Sequence, residues 1–434
     1  MTRILRGPLL RFRADPFTSG AEAALGWHED GAVAVAGERI ITVGDAPDVI
    51  SAHPGAEVAS TGGRLIAPGF VDCHLHYPQT RIVASWGAQL LDWLNTYTFP
   101  EEARFADAEY AAEVAREFFD LTLANGITTT CSYCTTHPTS SDAYFTEAQA
   151  RRLRVAGGRT MMDRNAPPDL CDTAQRAYDE SKALIARWHG RARATYAITP
   201  RFVPTSTPAQ LEAAGALWAE HPDCPMQTHL SENPSEIGLV KQLFPDEPDY
   251  FGVYQRFGLT GPGSIFGHAI HLTPRERAAL AETGAAVAHC PTSNQFLGSG
   301  ECDVAGLKAS GVPIGLATDV GGGSSFSMFD TMKAAYETGQ RRGVALSPVH
   351  LWWLATEGSA RVLRIEQEVG NLEAGREADL VLIDLAATPI LAARTARAQT
   401  AAEIMFALIV LADERAVSEV WSGGRMVHAR GAVR

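Results

Sequence analysis

Six ionisable side chains in this 434-residue chain have the types and spacing for metal-assisted chemistry. His74 and His76 are separated only by Leu75, so on an extended chain both imidazoles point to the same side and can share one ion. His229 and Asp319 add a third nitrogen and an oxygen, a donor set suited to zinc or iron with room left for a water. Such an ion lets water lose a proton near neutral pH. Glu232 follows in His229-Leu230-Ser231-Glu232 and is the candidate base for that proton. His268 is the candidate to hold the attacking oxygen, and Asp319 can also accept a hydrogen bond from the water. His137 and His289 fall near strand ends too, with less reason to touch a substrate. A two-metal centre would want a bridging lysine on the fourth strand. The four lysines, Lys182, Lys241, Lys308 and Lys333, all lie away from it, so one ion is expected.

The elements that must position these groups alternate. Short β-rich runs are expected at Leu65 to His76, Thr128 to Tyr133, Arg159 to Asp163, Arg193 to Thr199, Met226 to His229, Ser264 to His268, Ala285 to His289 and Ile314 to Thr318. Between them, Ala108 to Ala124, Thr173 to Trp188, Pro208 to Ala219 and Pro274 to Glu282 carry apolar residues at helical spacing. Eight alternating units, with no G-x-G-x-x-G after the first strand, predict an α/β fold: a (β/α)8 TIM-like barrel over residues 67–370. The histidines and Asp319 then fall at the C-terminal ends of strands, the face where barrel enzymes do their chemistry. Short strands and glycine turns return at both termini, and predict a small β-sandwich domain built from residues 1–66 and 371–434. The aromatic segment Ala84 to Arg104, with Trp86, Trp93, Tyr97 and Phe99, suits a lid or pocket wall, a dimer contact or plain packing.

Composition narrows the partners. With 50 acidic against 37 basic residues the formal charge is −13, which argues against a nucleic-acid-binding protein. The longest apolar run, Ile404 to Ala412, is under half of what a bilayer-spanning helix needs, so no membrane partner is expected. The N-terminus offers no continuous apolar segment before a cleavage site, and no secretory signal is expected. Seven cysteines without regular spacing fit a reducing cytoplasm. Cys131 and Cys134 form a lone C-x-x-C, expected to be structural because no second pair completes a four-sulfur site. The H-x-E and P-C-x-x-C signature of the other zinc deaminases is absent.

The stretch Pro68-Gly69-Phe70-Val71-Asp72-Cys73-His74-Leu75-His76 resembles the P-G-h-h-D-x-H-x-H opening of the amidohydrolase superfamily, h being an apolar residue. His229, His268 and Thr318-Asp319 continue the resemblance in that superfamily's order. Six further pieces make the chain most similar to its guanine-deaminating branch: His76-Tyr77-Pro78-Gln79, Trp93 to Glu102, Thr199-Pro200-Arg201-Phe202, Thr228 to Asn233, Ala288 to Asn294, and Thr318 to Gly323. The resemblance implies hydrolytic deamination of guanine to xanthine and ammonia, in purine salvage or breakdown. It implies one Zn2+ per subunit, or Fe2+, held by His74, His76, His229 and Asp319, with Glu232 moving protons and His268 assisting. It implies a purine pocket made by Gln79, Arg201 and Phe202, with Trp93 in its wall, and a homodimer. An oxidised guanine, a pterin or a triazine is the alternative substrate class, which the metal motif does not separate.

Overall fold

Pro68 and Gly69 cut the first expected strand into two pieces that serve different sheets. In the computed structural model, which describes residues 2–87 and 90–431, Leu65–Pro68 pairs with strands from the chain termini and Phe70–His76 with barrel strands. Proline has no N–H for a ladder, and the Gly69 N–H goes instead to the Asp379 carbonyl at 3.1 Å. The chain divides into two compact units, one of residues 1–72, 120–129 and 327–434, the other of 73–119 and 130–326.

The first unit carries one eight-stranded sheet drawn from both ends of the chain. Thr2–Phe12, Leu25–Ala36, Arg39–Asp45, Glu57–Ser60 and Leu65–Pro68 join Leu380–Ile383, Val417–Ser422 and Arg425–Ala429. The Arg3 guanidinium lies 4.9 Å over the Trp421 ring, although their strands are three places apart in the sheet order. The sheet covers a core of Leu5, Leu9, Val33, Ile66, Leu380 and Trp421. On its other face Ile4, Ala32 and Ala34 pack against Ala46 and Val49 of the helix Ala46–Ala52.

The second unit holds the barrel face that matters for function. Phe70–His76 pairs with Ile127–Tyr133, which pairs with Arg154–Gly158 and on to Ala194–Tyr196, while Thr160–Met161 pairs with Thr199–Pro200. An Ile198–Met226 bridge leads into Met226–Leu230, Ser264–His268, Ala286–His289 and Ile314–Leu316, all parallel. Two backbone bonds close the ring: Asp319 N–H to His74 O at 3.0 Å and His76 N–H to Val320 O at 2.6 Å. The result is the (β/α)8 barrel.

The third strand begins earlier than expected, at Arg154, and includes Gly157 and Gly158. They are points of close approach: a Cβ on Gly157 would stand 2.8 Å from Ser132 O, and one on Gly158 would meet Ala197 O. Helices match their expected spans closely, since hydroxyl and amide caps mark their starts. Thr173, Thr207, Asn233 and Thr273 accept from backbone N–H groups at the heads of Ala174–Trp188, Pro208–Glu220, Pro234–Leu243 and Pro274–Thr283. Among the described residues no helix is long and apolar enough to cross a membrane.

Candidate active site

The two imidazoles of His74-Leu75-His76 emerge on one side of the first barrel strand, as alternation requires, and meet His229 from the fifth. His76 Nε2 lies 3.2 Å from His229 Nε2, His74 Nε2 lies 3.3 Å from Asp319 Oδ1, and His76 Nε2 lies 3.5 Å from the same oxygen. Four donors around one ion at the usual zinc distance of about 2.0–2.1 Å would stand about 3.3 Å apart at the corners of a tetrahedron. The donor separations therefore fit a single ion. The tautomers fit as well. His229 Nδ1 faces the Arg201 carbonyl at 2.7 Å, and because a carbonyl only accepts, Nδ1 carries the proton and Nε2 keeps its lone pair for the cluster. Burial holds His74, His76 and His229 below the usual histidine range, so they are neutral. Burial alone would raise Asp319, but the neighbouring His74 and His268 bring it down to about 2. Neutral imidazoles and an ionised carboxylate are the states a divalent cation needs.

His268 and Asp319 are held in the left-handed region, at φ of 69° and 50°. Non-glycine residues pay about 1–3 kcal/mol for such a conformation. The backbone bonds around them hold it, from Ala269 N–H to Leu230 O at 2.9 Å and from Asp319 N–H to His74 O. His268 Nε2 thereby points at Glu232 Oε2 (3.4 Å) and Asp319 Oδ2 (3.7 Å), and its Nδ1 rests against Asn294 Oδ1 at 2.8 Å. Burial opposes charge on His268, but Glu232 and Asp319 outweigh it and raise its pKa. For Glu232 burial dominates and raises the pKa, with His268 and the Ser299 hydroxyl, donating at 2.9 Å to Oε1, pulling the other way. Its backbone is fixed by Glu236, the capping residue of the following helix, whose Oε2 accepts from the N–H groups of Glu232 and Asn233 at 3.0 and 3.1 Å.

Gln79, Trp93, Arg201 and Phe202 line the same cavity as His76, His229, Glu232, His268 and Asp319. Trp93 sits in a helical run, Leu90–Trp93 then a π turn Leu94–Thr98 then Phe99–Ala103, whose inner side packs on Met162, Phe202 and Leu297. Much of the aromatic segment is thus pocket wall, while Trp86 is 79 % exposed and residues 88 and 89 lie outside the described residues. Arg201 is buried and pairs with Glu102 at 2.7 Å, and Gln79 donates to the same carboxylate at 2.8 Å.

The Amidohydrolase family profile matches residues 65–427. The chain belongs to the amidohydrolase family. Within it, guanine deaminase of Escherichia coli (strain K12) is 44% identical over 368 residues, 85% of this chain and 84% of that protein. A probable guanine deaminase of Deinococcus radiodurans is 41% identical over 438 residues, 99% of each chain. The solved structure of E. coli guanine deaminase superposes with a TM-score of 0.97 at 40% identity, covering 99% of this chain and 100% of that one. Amidohydrolase deaminases are metal-dependent, and this chain offers the matching group of donors.

All the residues singled out from the amidohydrolase pattern, His74, His76, Gln79, Trp93, Arg201, Phe202, His229, Glu232, His268 and Asp319, fall in this one region. His137 and His289 do not line the cavity. Cys131 and Cys134 are buried thiols, and burial pushes Cys134 up to about 12. Sequence reasoning gave no role to Glu102, Glu236, Asn294 and Ser299, although Glu102 and Asn294 end two of the matched pieces. A signal existed for Glu236, which stands at the capping-box spacing from Asn233. Asn294 and Ser299 reach His268 and Glu232 from 26 and 67 positions away and carry no such local mark.

Proposed function

We propose that the chain hydrolyses guanine to xanthine and ammonia, using one zinc ion held by His74, His76, His229 and Asp319. The observation that carries this reading is a single cavity lined by His76, His229, Asp319 and Glu232 together with Arg201, Gln79, Phe202 and Trp93. The high identity to guanine deaminases over nearly the full chain supports the substrate. When bound, the divalent ion supplies Lewis acidity that makes water a nucleophile at neutral pH.

The protein groups do the rest. Arg201 and Gln79 take the polar edge of the purine and Phe202 and Trp93 its faces, which directs C2 and its amine at Glu232. As the water oxygen bonds to C2, one of its protons passes to Glu232, whose carboxyl burial makes a better base than an exposed one. Glu232 passes that proton to a ring nitrogen, takes the second proton from the hydroxyl now on C2 and delivers it to the amine, so that the C2–N bond breaks as the C2 carbonyl forms and ammonia departs. His268, charged between Glu232 and Asp319, donates to the oxygen at the tetrahedral carbon.

The same reading places the chain in the cytoplasm, consistent with cysteines that are thiols rather than disulfides, and makes it a homodimer with Trp86 as an exposed residue available for contact. It assigns residues 67–370 to the barrel and 1–66 with 371–434 to the small β domain. Ammonia release is the test, with guanine, 8-oxoguanine, a pterin and an aminotriazine in one panel. Guanine should give the highest kcat/KM, and preference for another member would overturn the assignment.

A further inference from the structure

We propose that Glu102 determines specificity by locking the Gln79 amide in the one orientation that complements a lactam edge, C(=O)-NH, of the substrate. The proposal rests on the guanine reading above. Glu102 is 1 % exposed and accepts twice, at Oε1 from Gln79 Nε2 (2.8 Å) and at Oε2 from Arg201 Nη1 (2.7 Å). The other end of the amide is fixed too, because Gln79 Oε1 accepts from the Gly321 N–H at 3.2 Å. A carboxylate only accepts and a backbone N–H only donates. Turning the amide over would set oxygen against oxygen at Glu102 and N–H against N–H at Gly321.

What remains of Gln79 is one amide hydrogen and one oxygen lone pair, on a side chain that lines the cavity. A free glutamine can pair with a lactam or, flipped, with an amidine edge, in which a bare ring nitrogen stands beside an amine. This glutamine is held to one sense. Arg201 adds hydrogen-bond donors alone, which a ring carbonyl satisfies and an exocyclic amine does not. Glu102 is therefore a positioning residue: it acts through Gln79 and Arg201. Its own neighbour Glu101 turns away toward Arg104 and Tyr110.

Guanine and 2,6-diaminopurine test this directly, since both carry the C2 amine and differ in having a lactam or an amidine at the next edge. Glu102→Gln replaces an acceptor by a group that can donate or accept, and so frees Gln79 to turn. In that variant the ratio of kcat/KM for guanine over 2,6-diaminopurine should fall by about tenfold or more, with KM for guanine rising more than kcat falls and metal content kept. Glu102→Asp, too short to span both partners, should lower the ratio less and decides the matter if the first variant does not fold. An unchanged ratio in a folded, metal-loaded variant overturns the lock alone. A wild-type protein that releases no ammonia from guanine overturns the guanine reading and the lock with it.

Discussion

A Cβ on Gly267 would stand 2.6 Å from Cε1 of the His74 ring and 3.2 Å from its Nε2. The sixth barrel strand thus leaves out a side chain where the first strand's imidazole lies flat against it, one residue before His268. Gly267 sets the place of His74 by contact, as the Arg201 carbonyl sets that of His229 by hydrogen bond.

Gly267→Ala should accordingly weaken metal binding by about tenfold or more, because the ring must move off its donor position. Overpacking of this kind also costs about 1–3 kcal/mol of stability. Chelator competition on purified protein measures the first effect, and wild-type metal affinity in the variant would refute the contact's role.

Glu232→Gln keeps the size of the side chain and removes its capacity to carry a proton. Metal content should be that of wild type, while ammonia release falls by about 10²–10⁴-fold, the usual contribution of general acid–base catalysis. Activity within a fewfold of wild type would remove Glu232 from proton transfer.

The barrel and its ligand face were legible because strand alternation and strand-end placement are written in local spacing: His74-x-His76 needs only the two-residue period of a strand. Glu102 was not. Glu101 and Glu102 are adjacent identical side chains, and which of them meets Gln79 and Arg201 depends on the π turn at Leu94–Thr98, which advances the helix face by an extra residue. No pattern of apolar residues marks such a turn. Glycine likewise has the same letter whether it turns the chain or admits a neighbouring backbone, as Gly157 and Gly158 do in the third strand.

His289 makes the acid side of the stability curve informative. It is fully buried, neither ring nitrogen has a hydrogen-bond partner, and burial brings its pKa from 6.5 down to about 3. Between those values the unfolded chain takes up a proton that the folded one refuses, so stability present above pH 6.5 is lost as pH falls toward 3. The loss approaches about 1.4 kcal/mol per pH unit. His289→Leu should flatten this limb in denaturant titrations from pH 7 to pH 4, and an unchanged slope would show that His289 is charged in the folded protein.

The central claim is that four donors converge on one ion beside Glu232 in a pocket built for guanine. Elemental analysis of the purified protein, paired with ammonia release from guanine before and after chelation and readdition of metal, tests it most directly. The account predicts one equivalent of zinc per chain, equal yields of xanthine and ammonia, and activity that leaves and returns with the ion. Full guanine turnover by metal-free protein, or a chain that binds no divalent ion at all, would contradict it.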